Sequence, residues 1–292
     1  MTAPAPTPCA NGVRPPPMPR PGRAGDPLDL QGEPDGRGVA LLAAGVRGVR
    51  HPLRLRLRDG GTVDVLACWT LSTPLAADRR GVHMSRFVEA ARAAAAAPLA
   101  PADWPAVLAG LRRRMGAADA CVEAAFPLPL PRSTPVTGLA ATAVYDAAFR
   151  IEGAGGAERL AVSARVPVAT LCPCSKAVSD YGAHNQRGRI AMEIEPARRA
   201  DGAWEEIWPE EVIASAEASG SAPVYPLLKR LDERLVTMRA FEHPAFVEDV
   251  ARDALLRWRD SPRAARVRVE VESFESIHAH DAFAVAEWRR GG

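Results

Sequence analysis

The sequence predicts an α+β chain made of two consecutive units, each running from strands into helices. Two observations carry this. Apolar residues alternate with period two at Leu53, Leu55, Leu57, Val63, Val65, Ala67 and Trp69, and again at Leu160, Val162, Ala164, Val166 and Val168. Each alternating stretch is followed by helical signals, Ala-rich over residues 85–115 and a one-sided apolar stripe over 247–258.

Residues 1–26 hold eight of the 27 prolines with Gly, Arg and Ala between them, too little apolar surface to offset ordering, and read as a disordered tail. The first unit is then 27–150 and the second 151–292. From Pro52 the alternation runs to a turn at Asp59-Gly60-Gly61 and resumes, which is a β-hairpin with one wet face. Ser85 can cap a helix reaching about Ala97, and a second helix covers Ala102 to Met115 and ends near Gly116.

In the second unit Glu152 to Arg159 lengthens a hairpin, the strand of Leu160 to Val168 leads into a loop, and Ile190, Met192 and Ile194 alternate out of it. After Pro244, a favourable first-turn residue, Val247, Val250, Ala251, Ala254, Leu255 and Trp258 make one helical stripe, with Glu248 off its centre. Val267, Val269 and Val271 open a last strand that runs into SFESIHAHDAFAVAEW.

Composition narrows the function. The 47% hydrophobic content supports a sizeable core, and 37 basic against 35 acidic residues give no electrostatic reason for nucleic acid or a membrane surface. An odd count of five cysteines, three without ligand spacing, argues against a disulfide framework and for a reducing, cytosolic setting.

The chemistry concentrates in LCPCSKAVSDYGAHNQRG, where Cys172-Pro-Cys174 is followed by His184. A thiolate and an imidazole on one loop can hold a transition metal or build a cysteine nucleophile beside its base. If residues 274–280 are extended, Phe274, Ser276, His278 and His280 share one face, with Glu275 and Ile277 on the other. His278 and His280 would then add imidazoles to a soft or borderline site suited to Zn, Fe or Mn. Glu248 near a helix start stays ionised and can grip an amidine-like edge. Lys176, Arg187 and Arg86, in the run HMSR, are cations able to meet phosphates.

These segments resemble the type IB GTP cyclohydrolase I enzymes. The matching stretches are DLQGEPDGRGVALLAAGVRGVRHP, GVHMSRF, the Cys loop, VYPLLKRLDERLVT, FVEDVARD and SFESIHAHDAFA, in order from Asp29 to about Ala284. The resemblance implies a tandem tunnelling fold, with antiparallel sheets, helices packed on one face, and a barrel formed by assembly into a homotetramer. It implies a divalent metal (Zn, Mn or Fe(II)) ligated by Cys172, His184, Glu233 and His278, with Cys172 and His184 catalytic. Glu248 would anchor the guanine edge of GTP, and Glu275 would lie near the substrate. The reaction implied is opening of the guanine imidazole ring, loss of C8 as formate, and closure to 7,8-dihydroneopterin triphosphate, which feeds folate synthesis. Three other readings remain open: a relative on the same fold giving a cyclic-phosphate pterin, a nitrile reductase using Cys172 as nucleophile, and a purine-binding protein with a closed structural zinc site.

Overall fold

A computed structural model describes residues 29–291, so the proline-rich segment 1–26 lies outside the described residues. The first hairpin is β1 (Leu41–Arg56) and β2 (Thr62–Leu75), followed by α1 (Met84–Ala94), a short 3-10 turn and α2 (Trp104–Met115). Ser85 is not the cap: His83 takes that position two residues earlier, and α1 ends at Ala94 rather than Ala97. The second helix stops at Gly116, whose φ of 62° is the left-handed conformation glycine adopts without a Cβ clash.

Two long strands follow that the sequence pattern did not suggest, β3 (Ala120–Ser133) and β4 (Ala140–Ala154). Pro127, Pro129 and Pro131 argue against a strand, because proline cannot donate to a ladder. β3 tolerates them because β2 pairs with it only over Cys121–Ala125, while β4 pairs along its whole length. The alternating prolines fall on the edge left without a partner.

The chain turns at Gly155-Gly156 into β5 (Ala157–Leu171), then α3 (Pro173–Val178), β6 (Asn185–Pro196), α4 (Pro209–Glu217) and the two-residue β7 (Ala222–Pro223). It continues through α5 (Arg230–Glu242), α6 (Val247–Arg259), β8 (Ala264–Ser273) and β9 (Ala282–Arg289). All strands are antiparallel in one open nine-stranded sheet of order β1-β2-β3-β4-β5-β6-β8-β9, with β7 beside β5. Residue 150 lies inside β4, and the β4–β5 ladder carries the sheet across the expected boundary. We propose that the two units meet at the Gly155-Gly156 turn.

Helices cover the apolar face. Trp104 of α2 stacks on Phe149 with centroids 4.9 Å apart and meets Trp69 at 6.0 Å. In the second unit Val250, Ala254 and Trp258 of α6 pack with Ile190, Met192, Val267 and Val269, all buried. The other face is polar: a concavity of about 740 Å³ is lined by Arg50, Glu123, Arg150, Arg165, Arg189 and Glu272, among others. Some of its charges are paired, as in Arg189–Glu272 and Arg150–Glu123. Among the described residues, no helix is long and apolar enough to cross a membrane.

Two polar ties bind the units. Tyr145 of β4 donates its hydroxyl to Glu217 of α4 at 2.5 Å, and Arg132 of β3 pairs with the same carboxylate. Burial, and then the bond to Glu217, push the Tyr145 phenol up to about 12. At the start of α5 the buried Asp232 carboxylate accepts Val136 N–H at 2.8 Å, Thr137 N–H at 2.9 Å and the Thr137 hydroxyl at 2.7 Å, all from the β3–β4 turn. It also accepts the Lys229 N–H at 2.9 Å. Burial raises the Asp232 pKa, but these four donors outweigh it and hold it down to about 2.

Because that folded-state value is below the ~3.9 of an unfolded Asp, the stabilisation is complete above about pH 4 and is lost as pH falls through 2. Asp232→Asn is therefore expected to lower the Tm at pH 6, and the gap to the unaltered protein should narrow as a thermal melt series descends toward pH 2.

Candidate active site

Strand register builds the site. In the β5–β6 ladder Leu171 pairs with Asn185, so Cys172 and His184 are the next residues facing each other. The Cys172 N–H donates to the His184 carbonyl at 3.2 Å and closes the loop at its neck. Inside the loop Cys172 precedes α3, and its Sγ accepts the Ser175 N–H at 3.4 Å. The Ser175 hydroxyl accepts the His184 N–H at 3.2 Å, so the helix and the histidine brace each other. Cys172 and Cys174 are both free thiols, Cys172 half-buried and Cys174 exposed.

The segment after β8 is not extended. Residues 274–281 bend between β8 and β9, and the period-two reading fails there. The Glu275 N–H donates to Asp281 Oδ1 at 3.2 Å, which closes the bend on itself. As a result Glu275 does not face away from His278 but joins it. Donor atoms of His184, Glu275 and His278 all lie within 4.8 Å of one another. The His184 and His278 rings meet edge-on at 6.2 Å, and His280 stacks on His278 at 5.3 Å. Gln186 and Glu275 sit beside the His184 Nδ1, at 2.9 Å and 3.8 Å. The His184 and Glu275 side chains are 11% and 12% exposed, enough for a small ligand to reach them and little enough to exclude bulk water.

The other expected site residues are placed as follows. Glu233 stands exposed on the first turn of α5 and, with Cys172, is outside the three-residue cluster. Glu248 is exposed on the first turn of α6, where the helix dipole favours a carboxylate. Lys176 is engaged elsewhere: its ammonium donates to the Phe241 carbonyl at 2.5 Å and lies 4.2 Å from that ring's centroid, capping the last turn of α5. Arg187 follows Gln186 on β6 and so projects from the opposite sheet face to His184, beside Arg165 and Phe274. Arg86 is exposed on α1, which packs on β1 and β2 at the far end of the sheet from β5, β6 and β8. Within one chain these two arginines are therefore not brought to the histidines.

Sequence reasoning missed Gln186, Thr170 and Ser273. The signal for Gln186 was present: on a strand it shares a face with His184, two residues away.

An open antiparallel sheet with helices on one face and its acid–base groups at the strand ends defines a protein of the tunnelling-fold class. The uricase from Arthrobacter globiformis has this fold, with a TM-score of 0.50 at 9% identity, covering 86% of this chain and 94% of that one. Residues 28–284 match the family described as type I GTP cyclohydrolase folE2. A GTP cyclohydrolase FolE2 from Paraburkholderia xenovorans is 40% identical over 259 residues, 89% of this chain and 94% of its own length. One from Fervidobacterium nodosum is 38% identical over 256 residues, 88% and 95% of the two chains. The chain belongs to the type I GTP cyclohydrolase FolE2 family.

Because Lys176 holds the end of α5, Lys176→Met is expected to speed amide hydrogen exchange in residues 238–243 without changing exchange in β5 or β6, read by mass spectrometry of peptic fragments.

Proposed function

We propose that this protein is a type IB GTP cyclohydrolase that converts GTP to 7,8-dihydroneopterin triphosphate and formate. The observation that carries the reading is identity near 40% to GTP cyclohydrolases FolE2 along 94% of their length. The cluster of His184 with His278, and the facing of Cys172 and His184 at the neck of the loop, support it. The donor chemistry fits a divalent transition ion: two imidazoles and a free thiol are borderline-to-soft ligands, and a carboxylate stands among them.

In this reading Cys172, His184 and His278 would hold the ion, with Glu233 as the fourth ligand that the resemblance assigns. Zn, Mn and Fe(II) all suit such a mixed set. When bound, the ion supplies Lewis acidity that makes water nucleophilic near neutral pH.

The chain's own residues do the rest. Glu248 offers two carboxylate oxygens to the guanine amino group and adjacent N–H, a pairing of charge-assisted hydrogen bonds that fixes the purine. An imidazole or carboxylate of the cluster that does not hold the ion takes the proton released as water adds at C8 and returns it to the ring nitrogen as the C8–N bond opens. Hydrolysis of the resulting formyl group releases formate, and ring closure completes the product. Assembly into a homotetramer would close the open sheet into a barrel.

Chelator-stripped protein is expected to be inactive and to regain formate release and a fluorescent oxidised pterin on adding Mn, Zn or Fe(II). Cys172→Ala is expected to abolish both products with its far-ultraviolet circular dichroism unchanged; an active variant would remove Cys172 from the site. Glu248→Gln should raise the KM for GTP by about tenfold or more, the worth of one charge-assisted hydrogen bond, and an unchanged KM would contradict the anchor role.

A further inference from the structure

Behind His184 lies a polar network that the reaction as described does not use. The Gln186 side chain reaches five groups. Its Nε2 lies 3.0 Å from Ser273 Oγ, 3.2 Å from Thr170 Oγ1 and 3.4 Å from Glu275 Oε1. Its Oε1 lies 2.9 Å from His184 Nδ1 and 3.4 Å from Ser276 Oγ. Thr170 and Ser273 are buried, and their hydroxyls are 3.0 Å apart.

This network leaves one consistent assignment of protons. Hydroxyls can donate or accept, so Thr170 and Ser273 do not orient the amide by themselves. A carboxylate oxygen only accepts, so the Gln186 atom facing Glu275 must be the NH₂ group. The amide oxygen then faces His184, and Nδ1 must carry the hydrogen that it accepts. A neutral imidazole has one N–H and one lone pair, so the lone pair is left on Nε2. The register fixes the parts: Thr170 faces Gln186 across the β5–β6 ladder, and Ser273 reaches both from β8.

We infer that Gln186 is a positioning residue that holds His184 as its Nδ1–H tautomer, so that Nε2 is the nitrogen presented to metal or to the migrating proton. Glu275, at 3.8 Å from Nδ1, then backs the imidazole from the same side rather than competing for Nε2. Outer partners of this kind set ligand orientation and basicity and are worth ~10–100-fold in metal affinity. The inference deepens the proposed function, since its consequence rests on His184 being a ligand or proton carrier.

The test reads the tautomer directly, apart from turnover. A long-range ¹H–¹⁵N spectrum of the metal-free full chain, with the His184 signals assigned through His184→Gln, should show Nδ1 protonated and Nε2 bare. In Gln186→Leu the signal should move to the Nε2–H tautomer, and the zinc Kd from competition titration should rise ~10–100-fold. Gln186→Glu combined with Glu275→Gln, which keeps an acceptor toward Nδ1–H without setting two carboxylates against each other, should restore the tautomer. If Gln186→Leu does not fold, Thr170→Val removes one support of the amide and should shift the same signal part of the way. An Nε2–H tautomer in the unaltered protein, or an Nδ1–H tautomer unchanged in Gln186→Leu, would overturn the inference. Failure of the unaltered protein to bind zinc, manganese or iron would instead contradict the metal reading, and the spectrum would still decide the role of Gln186.

Discussion

The site depends on one pairing, the facing of Cys172 and His184 across the end of the β5–β6 ladder. They lie twelve positions apart in sequence, and the Cys172 N–H bond to the His184 carbonyl brings them together at the neck of the loop. Once the register Leu171–Asn185 is set, the even positions Thr170, Cys172, His184 and Gln186 all lie on one face. A slip of one residue would turn one strand's pair to the opposite face, Thr170 and Cys172 with the buried Val166 and Val168 or His184 and Gln186 with the buried Ile190, and separate the two pairs. The hydrophobic alternation that packs the second unit therefore also aims the chemistry.

The same economy governs α5. This helix buries little besides Asp232 and Ala240, so its place is set by its ends rather than its face. At one end Asp232 grips the β3–β4 turn of the first unit, and at the other Lys176 of the Cys loop caps Phe241. The helix that carries Glu233 is thus referenced to both halves of the chain. Four donors converge on Asp232, which is how a buried carboxylate can remain ionised without a cation beside it. The Arg132–Glu217–Tyr145 group ties β3 and β4 to α4 in the same way.

Most of the second unit was legible in the sequence because its strands and α6 obey simple periods, and β5, β6, α6 and β8 fall where the apolar residues recur. β3 was hidden because its prolines violate a rule that holds only for strands paired on both sides, and one-sided pairing is a tertiary fact. The 274–281 segment was misread for the converse reason: its alternation is accidental, and the Asp281 side chain bends it. That bend moves Glu275 to the histidines. Lys176 looked like a free cation because sequence spacing cannot show that a carbonyl at residue 241 ends beside it. Arg187 and Arg86 carry the right charge, but strand parity and sheet order hold them away from His184 within one chain.

The central claim is that the facing pair Cys172 and His184 forms one ligand set with His278. Zinc K-edge X-ray absorption on the reconstituted protein tests it most directly, since sulfur and nitrogen scatterers are separated by distance. One sulfur at ~2.3 Å with the remaining ligands nitrogen or oxygen at ~2.0–2.1 Å is the expected shell, and the sulfur should vanish in Cys172→Ser. A shell of nitrogen and oxygen alone would contradict the claim and leave the metal to His184, Glu275 and His278.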